Sequence, residues 1–213
     1  MRISRIVIAA LAAHLIPVVA WAAFKPVRVL APELLGLHCA NSGVCVDDVQ
    51  RLVEAERLRR DAVAFVSSKV GKIDHLPRTI FCSTMACSKA FGFTSNGGYN
   101  VGTFGTAISY RGWKPYFVRH ELIHHLQNER LGTLNAWLLK PKWWTEGMAY
   151  SLSEDPRSPL AQPLQGWRDA FEQWRVSIGE KNIWLAAQSL NEYQDGGTLK
   201  PSLVNHAGDQ AAH

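Results

Sequence analysis

The chain is 213 residues long, 47% hydrophobic and 19% charged, with 23 Lys+Arg against 18 Asp+Glu and a formal net charge of +5. That apolar fraction excludes an intrinsically disordered chain, and the length allows one domain or at most two small ones. Four cysteines are too few to build a disulfide-dominated miniprotein, and 16 Gly with 10 Pro match neither collagen nor a linker. Lys and Arg are scattered, and Arg57, Arg59 and Arg60 cluster only on a helical stretch diluted by acids, so the basic balance implies no nucleic-acid partner.

Arg2 and Arg5 precede an uncharged apolar run from Ile6 to Ala20, followed by the small-x-small sequence Ala20-Trp21-Ala22. This basic, apolar, small-residue order predicts a signal peptide over residues 1–22, cut after Ala22, and an exported domain in the periplasm or outside the cell. The competing reading is an uncleaved anchor over residues 6–24, which would tether the domain to the membrane outside the cytoplasm. Export gives the cysteines a meaning, because an even count in an oxidising compartment favours disulfides. Of the three pairings that four cysteines allow, Cys39 with Cys45 and Cys82 with Cys87 is preferred, since each closes a short local loop. A structural zinc site built from all four is the rival, although its usual spacings are tighter.

Downstream, apolar residues recur at helical spacing from Val46 to Val70, opened by Asp47 and Asp48 and closed by Gly71. Arg78 to Ser83 reads as a short strand, and a Cys-, Gly- and Asn-rich stretch then runs to Asn100 through Gly97-Gly98. Gly102 to Tyr110 is β-prone. Pro115 suits a first helical position, so a helix is predicted from Tyr116 to Arg130, stopped by Gly132. Further helices are predicted from Pro141 to Leu152, Trp167 to Ile178 and Ile183 to Leu190, with a flexible tail over residues 196–213. The order predicts a single domain over residues 23–195 of α+β class, zincin-like, with a small mixed sheet packed on the first of these helices.

That helix carries His120-Glu121-Leu122-Ile123-His124, an HExxH motif. Residues four apart share a helix face, so both imidazoles can reach one metal ion, while Glu121, about 100° further round, stands beside it. Zinc suits two neutral nitrogens and one carboxylate with a fourth position open to water, and Glu121 is then placed to accept that water's proton. The third ligand is predicted to be Glu146, 22 positions after His124 on the following helix. A ligand at the position six after His124 is excluded, because that residue is Arg130.

With Trp143, Glu146, Gly147, Ala149 and Tyr150 forming W-x-x-E-G-x-A-Y, residues 100 to 152 resemble the gluzincin metallopeptidases, in particular small peptidase-MA-like proteins of the thermolysin-like group. The resemblance implies one zinc ion per chain on His120, His124 and Glu146, with Glu121 as general base. It also implies an edge strand that pairs with an extended peptide or protein substrate, a place that residues 102–110 fit. Where thermolysin has an aspartate four residues after the ligand glutamate, this chain has Tyr150, expected to stand behind the ligands in its place. Tyr110, Tyr116, Arg119 and His125 lie near the motifs without a pattern that assigns any of them to the transition state. The expected activity is an exported zinc peptidase; the alternatives are a catalytically silent scaffold, which the intact Glu121 argues against, and a zinc hydrolase acting on a non-peptide amide of the cell envelope.

Overall fold

The computed structural model describes residues 19–190, so the expectations for most of the leader and for the tail lie outside the described residues. Five short strands, β1 (His38–Cys39), β2 (Val44–Val46), β3 (Arg78–Phe81), β4 (Gly98–Val101) and β5 (Gly105–Ile108), form one mixed sheet in the order β1-β2-β3-β5-β4. The central β2, β3 and β5 run parallel, and an antiparallel strand closes each side. Helices follow as α1 (Leu52–Lys69), α2 (Met85–Ala90), α3 (Pro115–Leu131), α4 (Thr133–Leu138), α5 (Lys142–Leu152), α6 (Leu164–Ile178) and α7 (Ile183–Gln188). The class is α+β, as predicted, and no helix among the described residues is long and apolar enough to cross a membrane.

Strand alternation divides the interior in two. Val44, Val46, Phe81 and Ile108 point to the layer of α1, α3, α5 and α6, where they meet Val66, Leu122, Leu126, Trp144 and Phe171. Cys45, Ile80 and Ala107 point the other way, onto Val29, Phe91 and Phe93. The central strands are therefore covered on both faces: β2 is apolar throughout, and Thr79 of β3 and Thr106 of β5 are fully buried. Both cysteine pairs lie in or beside this second core: Cys39 bonds Cys45 across the β1–β2 hairpin, and Cys82 bonds Cys87 at the start of α2. These are the preferred local pairings, and they exclude the four-cysteine zinc site.

The structure departs from the predicted elements in several places. Val46 belongs to β2, and α1 begins only at Leu52, after a 3-10 turn at Val49–Arg51. Asp48 caps that turn by accepting from the Gln50 N–H at 3.0 Å. Asp47 instead leaves the helix and accepts four hydrogen bonds from the backbone and hydroxyl groups of Ser83 and Thr84. Residues 102–110 are not an edge: β5 lies between β3 and β4, and the edge falls to β4, within the Cys-, Gly- and Asn-rich stretch. A tight turn, with the Phe104 N–H on the Val101 carbonyl, folds the two into a hairpin that places the Gly-rich arm outermost. The linker between the motif helices contains α4, and α2 was not foreseen at all.

Asp47 fastens the end of β3 and the start of α2 to the segment before α1. Burial works to raise its pKa, but the hydrogen bonds from Thr84 and Ser83 outweigh it and hold the carboxyl below its ordinary value. A depressed folded pKa means that this contribution is present above the unfolded value of about 3.9 and is lost as pH falls through the lower folded value. Asp47→Ala is expected to lower the unfolding free energy by about 2 kcal/mol at neutral pH. In urea titrations the difference between variant and parent should shrink as the pH is taken below about 3.9.

Candidate metal centre

α3 starts at Pro115, whose missing N–H costs nothing in the first turn, and ends where Gly132 adopts φ +81°. One side of the helix, with Val118, Leu122, Ile123 and Leu126, is sealed in the core. The other presents His120 and His124 to α5, and Glu121 to β4. α5 follows Pro141 and brings Glu146 to the same point. Gly147 makes this possible, because a Cβ there would stand 2.8 Å from the Phe171 Cβ and would collide with the Trp167 carbonyl. Gly147, directly after Glu146, thus lets α6 lie close against α5.

His120 Nε2 and His124 Nε2 are 3.1 Å apart, and Glu146 Oε2 is 3.6 Å from the first and 3.5 Å from the second. Ligand atoms on a tetrahedral ion with bonds of about 2.0–2.1 Å are separated by roughly 3.3–3.4 Å, so the triangle has the size zinc requires. His120, His124 and Glu146 were the residues predicted as ligands, and the fold brings all three together. The donor chemistry, two imidazole nitrogens and one carboxylate, also fits zinc better than calcium or magnesium.

A hydrogen-bond relay fixes the orientation of His124. The Gln127 Nε2 donates to the Thr145 carbonyl at 2.9 Å, which turns its Oε1 towards His124 Nδ1, also at 2.9 Å. Because that oxygen can only accept, Nδ1 carries a proton, and once the ring gives up its second proton the free lone pair lies on Nε2, facing the centre. Asn128 continues the support, with its amide donating to the His124 carbonyl at 2.6 Å and to Asn100 Oδ1 of β4 at 3.0 Å. No sequence motif marks Gln127, although its place three residues after His124 sets it on the same helix face.

Burial governs the electrostatics. It pushes the Glu121 carboxyl up to about 8, with the Glu146 charge adding to the shift and His124 opposing it. It pushes His120 down towards the neutral ring. Burial alone would also lower His124, but the adjacent Glu146 carboxylate holds it at about 9. Glu146 in turn, which burial by itself would raise, is held well below the carboxylate range by His124 and by hydrogen bonding with His120. Glu121 is 5% exposed and lies against β4, where a Cβ at Gly98 would stand 2.7 Å from its Cγ. Only glycine at 98 leaves room for that carboxylate.

The centre opens into a cleft of about 620 Å³ between β4 and α3 on one side and α4 and α5 on the other. Tyr150 lines it, one turn beyond Glu146, with its ring edge-on to His120 at 4.4 Å between centroids. Burial, with Glu146 adding, pushes the Tyr150 phenol up to about 12. Arg157 also lines the cleft, held by Asp155 through both its backbone N–H and its guanidinium. The other residues that lay near the motifs in sequence are elsewhere. His125 is fully buried on the far side of α3, donating to the His75 carbonyl at 2.7 Å, and Arg119 pairs with Glu154 at 2.8 Å. Tyr116 stacks on Phe117, and the Tyr110 backbone N–H donates to Ser88 Oγ.

No family model, curated protein or solved structure matches this chain. If Gln127 sets the tautomer of His124, Gln127→Ala should weaken metal affinity by roughly 10–100-fold. Competition with a chromogenic chelator measures this, and an unchanged far-UV spectrum would show that the helix is intact.

Proposed function

We propose that the chain is an exported zinc-dependent peptidase of gluzincin type, with His120, His124 and Glu146 holding one zinc ion and Glu121 as general base. The observation that carries the reading is the ligand triangle, of tetrahedral zinc dimensions, with a buried carboxylate beside it at the wall of an open cleft. A zincin-like fold is supported by the five-stranded sheet whose edge strand lies along the HExxH helix. Export is supported by the two disulfides, which persist in oxidising compartments.

When bound, zinc supplies a Lewis acid that polarises the scissile carbonyl and acidifies a water molecule. Glu121 does the proton work. It takes a proton as the water oxygen bonds to the carbonyl carbon and the carbonyl electron pair moves onto its oxygen. It then delivers that proton to the amide nitrogen as the C–N bond breaks, leaving an acid and an amine. Burial, which favours the protonated carboxyl, helps Glu121 hold the proton between the two transfers. Gly98 holds this carboxylate against β4, so proton acceptor and substrate edge are fixed relative to one another.

The edge strand favours a polypeptide over a non-peptide amide. The Ser109 N–H donates to the Gly97 carbonyl at 2.9 Å, so odd-numbered residues of β4 bond to β5 and Gly98 and Asn100 turn their backbone outward. An extended peptide added there would run past Glu121. Glu121→Gln is expected to abolish turnover while leaving one zinc per chain, and Glu146→Ala to lose zinc on dialysis. Metal analysis and hydrolysis of a peptide library, with and without a chelator, check both. Robust hydrolysis that a chelator does not touch would overturn the reading.

A further inference from the structure

We infer that Tyr150 is a catalytic residue of the proposed hydrolase, its hydroxyl donating a hydrogen bond to the oxygen of the scissile carbonyl as negative charge builds on it. The inference rests on the hydrolase reading above and adds the one component that the metal ligands and Glu121 do not supply. As the carbonyl becomes tetrahedral its oxygen turns anionic, and a donor already in place at that point lowers the barrier without reorganising.

The side-chain donors of the cleft narrow to few. Gln127 is committed to Thr145 and His124. Asn128 donates to Asn100 and to the His124 carbonyl, Asn100 to Gly105 and Thr106, and Asn96 to the Gly98 carbonyl. Arg157 gives its Nε and Nη2 to Asp155, Tyr99 its hydroxyl to the Phe91 carbonyl, and Thr145 its hydroxyl to the Pro141 carbonyl. Ser95 and Trp137 are exposed on the outer walls. Two donors on the inner face of α5 remain: Lys142 one turn before Glu146 and Tyr150 one turn after it, neither hydrogen-bonded among the described residues.

Rigidity separates these two. Lys142 is exposed and its charge sits on a flexible stem. Tyr150 is half-buried, edge-on to the His120 ring at 4.4 Å, with the Arg157 guanidinium 5.9 Å from its own ring centroid. It has only two side-chain torsions to hold, and both neighbours pin the ring. A phenol is a donor throughout the neutral range, and the nearby cation strengthens it in that role.

The test uses the zinc-loaded full chain carrying Tyr150→Phe, with Lys142→Met alongside. Three quantities are read: kcat and KM on a peptide found with the parent, zinc content, and the calorimetric Kd of a phosphinic peptide whose tetrahedral anion imitates the charged carbonyl. For Tyr150→Phe the expected result is a fall of roughly 100-fold in kcat, KM within about threefold, zinc retained, and phosphinate binding weakened at least tenfold. Lys142→Met should keep kcat within about threefold. If Tyr150→Phe keeps its kcat and phosphinate affinity, or loses zinc, Tyr150 only packs against His120 and the inference fails. It fails equally if Lys142→Met shows the kcat loss instead. A parent that binds zinc but neither hydrolyses peptides nor binds the phosphinate defeats the hydrolase reading itself, and the inference with it.

Discussion

Two imidazoles and a carboxylate, all of which water would solvate well, are held within 3.6 Å of one another at a point where His120 is only 8% exposed. Taking such groups out of water is costly unless each finds a partner, and most of the surrounding structure serves that requirement. Gln127 answers the outer nitrogen of His124 and is itself answered by Thr145, so the relay crosses from α3 to α5 and back. The same bonds that satisfy the buried groups also fix the separation of the two helices. Loosening the relay would therefore move Glu146 relative to the histidines as well as free a ring.

Rigidity around the centre is built from two different materials. On the α3–α5 side it is apolar packing, with Leu122, Ile123, Trp144, Met148 and Phe171 all fully buried behind the ligands. On the opposite face of the sheet, where the second core is smaller, disulfides at Cys39–Cys45 and Cys82–Cys87 take part of the load. Close approach without side chains joins the halves. Gly147 admits α6 against α5, and Gly98 admits Glu121 against the edge strand. Both glycines are needed for what they lack, since a methyl group at either would stand where another residue already is.

This placement also gives Glu121 its character. The helix period sets it beside His120 and His124, and the Gly98 backbone closes over it, so burial raises its proton affinity. Neighbouring polar groups that lie close in sequence, His125 and Arg119 among them, take purely structural bonds on other faces of α3. Proximity along the chain is no guide to proximity in the cleft, because consecutive helical residues point about 100° apart.

By itself the sequence determined the features that depend on local spacing. The four-residue interval puts His120 and His124 on one face, Pro115 and Gly132 bound the helix that bears them, and short cysteine intervals favour the local disulfides. It also pointed to Glu146, because a carboxylate on the next helix, after a linker of ordinary length, has few other places to go. Only the tertiary structure decided the rest. Which strand is the edge follows from hairpin pairing over β4 and β5, where Gly97-Gly98 reads as a loop until its neighbour is in place. That Thr145 of α5 turns Gln127 towards His124, that Tyr150 packs on His120 and that Asp47 ties the end of β3 to the start of α2 are contacts between distant segments. No pattern within one segment encodes them, since their energy exists only once two surfaces have met and excluded water.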